Sequence, residues 1–246
     1  QLIVEAVESV TVEADDGSHV VDLEYINIET QTGRSAGESE LLNGAVIDKD
    51  PVQESMPTNL TDAKVLLTNS PIELDETDVD AELQLDSPDQ LQSFLDSEEE
   101  QLRAKVDAIA DTGADVVFCQ KGIDDMAQHY LAKRGILAVR RVKKSDIAFL
   151  KEVTGASVVS DIENATADAL GTANISRDDE DELFYVEGED SHGVTLLLRG
   201  STEHVVDELE RGIGDALDVV ATTVSDGRVL AGGGAAEVEV ASRLRD

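Results

Sequence analysis

The sequence contains no tryptophan, one cysteine, four prolines, four phenylalanines and three tyrosines in 246 residues. With Cys119 alone, no disulfide can close within the chain, which suits a reducing compartment. There is no run of eighteen apolar residues and no basic-then-apolar leader, so neither a membrane span nor secretion is expected, and the expected location is cytoplasmic. Positive charge is also scarce: 19 Lys and Arg stand against 54 Asp and Glu, a formal net charge of -35. Binding to a nucleic-acid backbone needs clustered cations that release counterions, so nucleic acid is not expected as a partner. The one basic cluster is Lys133, Arg134, Arg140, Arg141, Lys143 and Lys144. It lacks interleaved aromatics and is expected to pair with neighbouring acids.

An acid excess of this size repels itself at low salt. Here it is spread along patterned segments rather than gathered in a tail, while 41% of residues are apolar, enough for a sizeable core. Scarce Lys beside abundant Asp and Glu therefore suggests a surface screened by a salt-rich cytoplasm, as in a halophile.

The segment up to about Met56 alternates strand-like runs with polar turns. Val20–Leu23 and Ile26–Ile28 read as strands, Glu13–Ser18 as a hairpin loop and Gln31–Gly37 as a connection. A second unit is expected from near Pro57, with Lys64–Thr68 as a buried strand. Between Asp75 and Glu100 lie eleven acidic residues and no basic one. Within that stretch Ser87, Pro88 and Gln90 form a helix start with a capping-box pattern. Leu91, Phe94, Leu95, Leu102, Val106 and Ile109 then recur at helical spacing, with Glu98 interrupting the stripe, until Gly113. A helix of about 24 residues is roughly 36 Å long, enough to project beyond a compact body, and its acidic first half is expected to stand in solvent.

An alternating rhythm follows: strand Asp115–Cys119, helix Asp124–Arg134, strand Ile136–Val139, helix Ser145–Thr154 and strand Ala156–Val159, the helices closed by Gly135 and Gly155. It predicts an α/β fold with parallel strands and crossover helices. After strands at Glu182–Glu187 and Val194–Leu198, a helix capped by Ser201 or Thr202 is expected to run to Val224. Its apolar stripe is Val205, Val206, Leu209, Ile213, Ala216, Leu217 and Val220. Asp215 falls about 200° around the helix from Ile213, away from that stripe.

No G-x-G-x-x-G, P-loop or G-x-S-x-G motif occurs, and the four histidines lack ligand spacing, so no metal is expected. The triplet Gly232, Gly233 and Gly234 opens a helix with unshadowed backbone N–H groups where an anion or phosphate could lie. The sequence starts in apolar periodicity at Leu2 and ends soon after the triplet, so it is expected to be the middle of a larger protein.

Four runs carry a family resemblance: Gln120-Lys-Gly-Ile-Asp-Asp-Met-Ala-Gln-His-Tyr-Leu-Ala-Lys133, Ala138-Val-Arg-Arg-Val-Lys-Lys-Ser-Asp146, Leu196-Leu-Leu-Arg-Gly-Ser-Thr-Glu-His-Val-Val206 and Asp226-Gly-Arg-Val-Leu-Ala-Gly-Gly-Gly-Ala-Ala-Glu237. Together with the Asp80–Pro88 approach to the acidic helix, they resemble the archaeal group II chaperonins (thermosomes) and their eukaryotic cytosolic relatives. The resemblance extends over essentially the whole chain. It implies a subunit of a double-ring, ATP-driven machine that encloses and folds unfolded proteins.

The implied layout has an intermediate domain over 1–60, an apical domain over 61–189, the intermediate domain again over 190–231, and the start of an equatorial domain over 232–246. In that fold a layered β/α apical core carries a helical protrusion, about 75–111, and is inserted in a discontinuous α/β intermediate domain. By the same resemblance Asp215 activates the hydrolytic water, and Gly232 to Gly234 border the nucleotide. The phosphate-cradling run and the second catalytic aspartate of the family belong to the equatorial region before Gln1, so ATP and Mg²⁺ are expected in the full-length protein and not tightly on this segment alone. Gln120, Met126, Tyr130, Leu91 and Phe94 are candidate contacts for unfolded clients. From another class comes a passive, ATP-independent binder of unfolded chains; a free-standing α/β enzyme lacks a supporting constellation.

Overall fold

The computed structural model describes every residue except 15, 16, 18, 75–87, 190–192, 230, 245 and 246, and for 88–91 and 93 it describes the backbone alone. It is a mixed α/β structure built on two separate cores.

The smaller core is assembled from both ends of the sequence. Helix α1 (Leu2–Ser9) and the hairpin of β1 (Thr11–Glu13) and β2 (His19–Val21) lead into β3 (Ile26–Thr32) and β4 (Glu40–Asn43). Between β3 and β4 comes β12 (Val194–Gly200), parallel to β3 and antiparallel to β4, with all seven of its residues buried. A central strand covered on both faces reads as a near-continuous apolar run, and Val194-Thr-Leu-Leu-Leu198 does so with Thr195 as its one polar member. Helix α5 (Glu203–Asp226) packs on this sheet and α1 through Val206, Leu209, Ile213, Leu217, Val220 and Val224. It ends where Gly227 takes a left-handed conformation, φ 61°. Val205, expected in the stripe, is 40% exposed, because it lies in the first turn at the rim of the contact.

The larger core surrounds a seven-stranded sheet. Its spatial order begins with β5 (Ala45–Ile47), β11 (Leu183–Glu187), β10 (Gly171–Asp178) and β6 (Leu60–Thr68), all antiparallel neighbours. From β6 it continues in parallel to β7 (Val116–Cys119) and β8 (Leu137–Val139), while β9 (Val158–Val159) pairs with Leu67 and Thr68 on the edge of β6 opposite β7, beyond the residues that β10 covers. The expected parallel strands are thus present, with α3 (Asp125–Lys133) and α4 (Lys144–Thr154) as crossovers. The Asp124 side chain caps α3 by accepting the Met126 N–H at 2.8 Å, and Gly155 at φ 72° closes α4.

Helix α2 (Pro88–Asp111) has the expected length, although the cap at Ser87 lies outside the described residues. Leu102, Val106 and Ile109 are fully buried against the larger core, whereas Phe94 and Leu95 are 39% and 49% exposed. The last three turns are therefore docked. Each buried aliphatic side chain contributes roughly 1.5–3 kcal/mol, a gain the earlier turns forgo.

The chain crosses between the cores at Gly44, which separates β4 from β5. Its φ is 80°, and a Cβ there would lie 2.1 Å from the Val186 carbonyl oxygen, so conformation and space both require glycine. The Gly44 N–H donates to the Gly193 carbonyl at 2.8 Å, and the buried Thr195 hydroxyl donates to the Gly44 carbonyl at 2.7 Å. The outgoing and returning strands are clamped together there.

Candidate functional site

Asp215 lies on the outer face of α5, its side chain 74% exposed, with the Arg211 guanidinium 3.1 Å from Oδ2. Arg211 also grips Glu208, Nη2 to Oε1 at 2.6 Å and Nε to Oε2 at 3.2 Å. Its guanidinium holds the exposed Glu208 carboxyl below the usual carboxylate range. Helical spacing of three and four residues brings these groups onto one face. Asp215 is therefore a solvent-exposed carboxylate paired with Arg211.

The glycine triplet forms a turn ahead of α6 (Ala235–Arg243), with Gly233 at φ 69° and Gly234 at φ 82°. A Cβ placed on Gly232 or Gly233 would meet nothing within 4 Å, so this backbone presents an open surface. No residue of α6 is buried.

The client-contact candidates divide by environment. Met126 is 42% exposed on α3, and Phe94 is similarly exposed on α2. Tyr130 is half-buried against the larger core; its hydroxyl donates to Glu99 Oε1 at 2.6 Å, and Arg103 sits 5.2 Å from the ring centroid. Gln120 is half-buried, with its N–H bonded to the Thr68 carbonyl at 2.9 Å. Leu91 lies in the helix, but its side chain is outside the described residues. The basic cluster behaves as its composition suggested at two positions: Arg134 pairs with Asp107, and Lys143 pairs with Glu29 at 3.0 Å. Among the described residues no helix is long and apolar enough to cross a membrane.

Residues 1–246, the entire chain, match the TCP-1/cpn60 chaperonin family. The chain belongs to that family. It is 71% identical over its whole length to thermosome subunit 2 of Haloferax volcanii and 65% identical to thermosome subunit beta of Halobacterium salinarum, covering 44% of each relative. Among solved structures it is similar to the open-state monomer of a group II chaperonin from Methanococcoides burtonii, with a TM-score of 0.79 and 41% identity over 99% of this chain and 55% of that one. The chain thus spans less than half the length of these curated chaperonin relatives.

This chaperonin chain also holds a charged joint between its cores that sequence reasoning missed. Arg199, on β12 and 3% exposed, donates to Asp181 Oδ2 at 2.8 Å, to Glu40 Oε1 at 3.0 Å and to Gln31 Oε1. Arg34 reaches the other Asp181 oxygen at 2.5 Å. Burial works against the Arg199 charge, but hydrogen bonds to Asp181 and Glu40 outweigh it and raise its pKa. The only sequence signal was an arginine closing the buried run Leu196-Leu-Leu-Arg199. Its partners lie 18 to 168 positions away.

Proposed function

We propose that this chain is the client-enclosing and relaying part of an ATP-driven group II chaperonin subunit, which binds unfolded proteins and assists their folding within a double ring in the cytoplasm. Family membership over the full length carries this reading. In it, the larger unit is the apical domain, with α2 as the protrusion, and the smaller unit is the intermediate domain. The pairing of β5 with β11 favours drawing the first edge of the smaller unit at Gly44, rather than near residue 60. Residues 190–231 complete that unit, and 232–246 begin the equatorial domain.

ATP with Mg²⁺, when bound to the complete subunit, supplies the phosphoryl group whose hydrolysis drives the cycle. The residues present fit one side of such a site. Gly232 to Gly234 leave their backbone open to a nucleotide, and the exposed Asp215 carboxylate can orient a water and take its proton. Ligands for the phosphates and the metal come from elsewhere in the subunit. Movement of α5 carries Asp215 towards or away from that site, since the helix and its sheet form one packed body. On the client side, Phe94 and Met126 offer exposed apolar contacts, Gln120 and Tyr130 are half-buried, and Leu91 is a further proposed contact on α2.

The alternative, a passive holder of unfolded chains, is separated by comparing the 246-residue chain with the full-length subunit in molar salt. The full-length protein is expected to hydrolyse ATP and to refold a denatured client with ATP, whereas the shorter chain does neither. Client release and refolding by the full-length subunit without nucleotide would refute the ATP-driven reading.

A further inference from the structure

Four contacts hold the two cores in register. The chain crossing at Gly44 lies beside Val194, at the start of β12. Next come Val46, Leu183 and Leu197, a small buried cluster shared by β5, β11 and β12. Arg199 follows, five residues beyond Val194 and about 17 Å along the strand at 3.3–3.4 Å per residue. There it meets Asp181, which the turn between β10 and β11 presents from the larger unit. Beside them Lys143, at the head of α4, pairs with Glu29 on β3.

The turn that offers Asp181 is itself shaped by charge. The Asp178 carboxylate accepts the N–H groups of Glu180 at 2.7 Å and Asp181 at 2.9 Å, which holds its pKa below the usual range. Gln31 Nε2 donates to the Asp181 carbonyl at 3.1 Å. Asp181 is thus held by its backbone and by both carboxylate oxygens, and its side chain is only 8% exposed. A rotation at Gly44 that parted the units would strip a buried carboxylate and a buried guanidinium of their partners and wet the apolar cluster. Both consequences oppose it.

We propose that Arg199 and Asp181 form a latch that makes the two units one rigid lever, so that motion of the α5-bearing unit is delivered undiminished to the client-facing unit. The latch is a joint between domains, with no direct part in hydrolysis, and its consequence for clients rests on the chaperonin reading above.

The test uses the full-length subunit with Cys119→Ser and spin labels at Ala148→Cys on α4 and Glu210→Cys on α5, all in assembled particles. The parent protein should give one narrow inter-label distance that stays the same without nucleotide, with ATP and with ADP. A nucleotide-dependent change in that distance would overturn the latch, and this arm needs no substitution in the clamp. In the second arm, Arg199→Met with Asp181→Leu replaces the pair by apolar side chains of similar size, which keeps the joint buried. A broadened distance, ATP turnover within about threefold of the parent and at least tenfold less client protected from protease are expected.

An unbroadened distance in that variant would also overturn the proposal. Asp215→Ala, assayed in parallel, reports on the chaperonin mechanism itself: retained turnover there with a nucleotide-independent distance would reject the hydrolysis role and leave the latch standing.

Discussion

Tyr130 on α3 donates a 2.6 Å hydrogen bond to Glu99 on α2, and the same Glu99 oxygen accepts from Arg103 at 2.9 Å. The bond sits where α2 changes character, between the exposed Phe94 and Leu95 and the buried Leu102. There it ties the long helix to the body through α3. Tyr130→Phe should cost about 0.5–1.5 kcal/mol locally. Hydrogen exchange over residues 94–103 should accelerate several-fold while the β6–β7 region is unchanged; equal rates in both proteins would show that the bond carries no local stability.

Glu29 gives the joint a pH dependence of definite sign. Burial pushes its carboxyl above 4.5, and the hydrogen bond from Lys143 offsets only part of that rise. A group that binds its proton more readily when folded stabilises the fold fully below its unfolded pKa and loses that contribution as pH rises through the folded value. Lys143→Met removes the offset, so the variant should lose more stability than the parent as pH rises from about 4.5 towards neutrality. Urea midpoints across that range measure it. Parallel curves would contradict the pairing.

Cys119 lies at the end of β7 with 0% exposure, and burial pushes its thiol up to about 11. Iodoacetamide at pH 8 should therefore label the folded chain at least about a hundredfold more slowly than the urea-unfolded chain, because the thiolate is both rare and covered. Comparable rates would mean that β7 is open.

Gly44 and Gly113 share nearly the same positive φ, 80° and 83°, but only Gly44 faces a backbone carbonyl where a Cβ would lie. Gly113→Ala should cost about 1 kcal/mol for conformation alone. Gly44→Ala must in addition push Val186 away and should cost about 2–4 kcal/mol. Equal shifts in urea midpoint would remove the close crossing from the account.

The α/β rhythm from Asp115 to Val159 was legible because its helices carry clear stripes and glycine stops and its strands are short apolar runs. By contrast, β10 escaped notice: its inward positions Gly171, Ala173 and Ile175 are mostly small, so alternation barely registers in composition. The first strand run also reads differently in three dimensions. A 3-10 turn at Leu23–Tyr25 separates β2 from β3, and β3 continues to Thr32, into the expected connection, because β12 pairs with it along its full length. For the candidate site, the outward direction of Asp215 followed from helical geometry. Its pairing with Arg211 and Glu208 follows from the same spacing. The Arg199–Asp181 contact depends on a strand returning after the whole larger unit has been built, and no local pattern encodes that meeting.

The central claim is that Asp215 acts on the water that cleaves ATP, and steady-state hydrolysis by full-length Asp215→Asn in molar salt, measured beside nucleotide affinity, tests it most directly. The account predicts a turnover loss of at least about a hundredfold, comparable to the contribution of a positioned acid–base group, with ATP affinity changed by less than about threefold. Turnover equal to that of the unmodified subunit would contradict it.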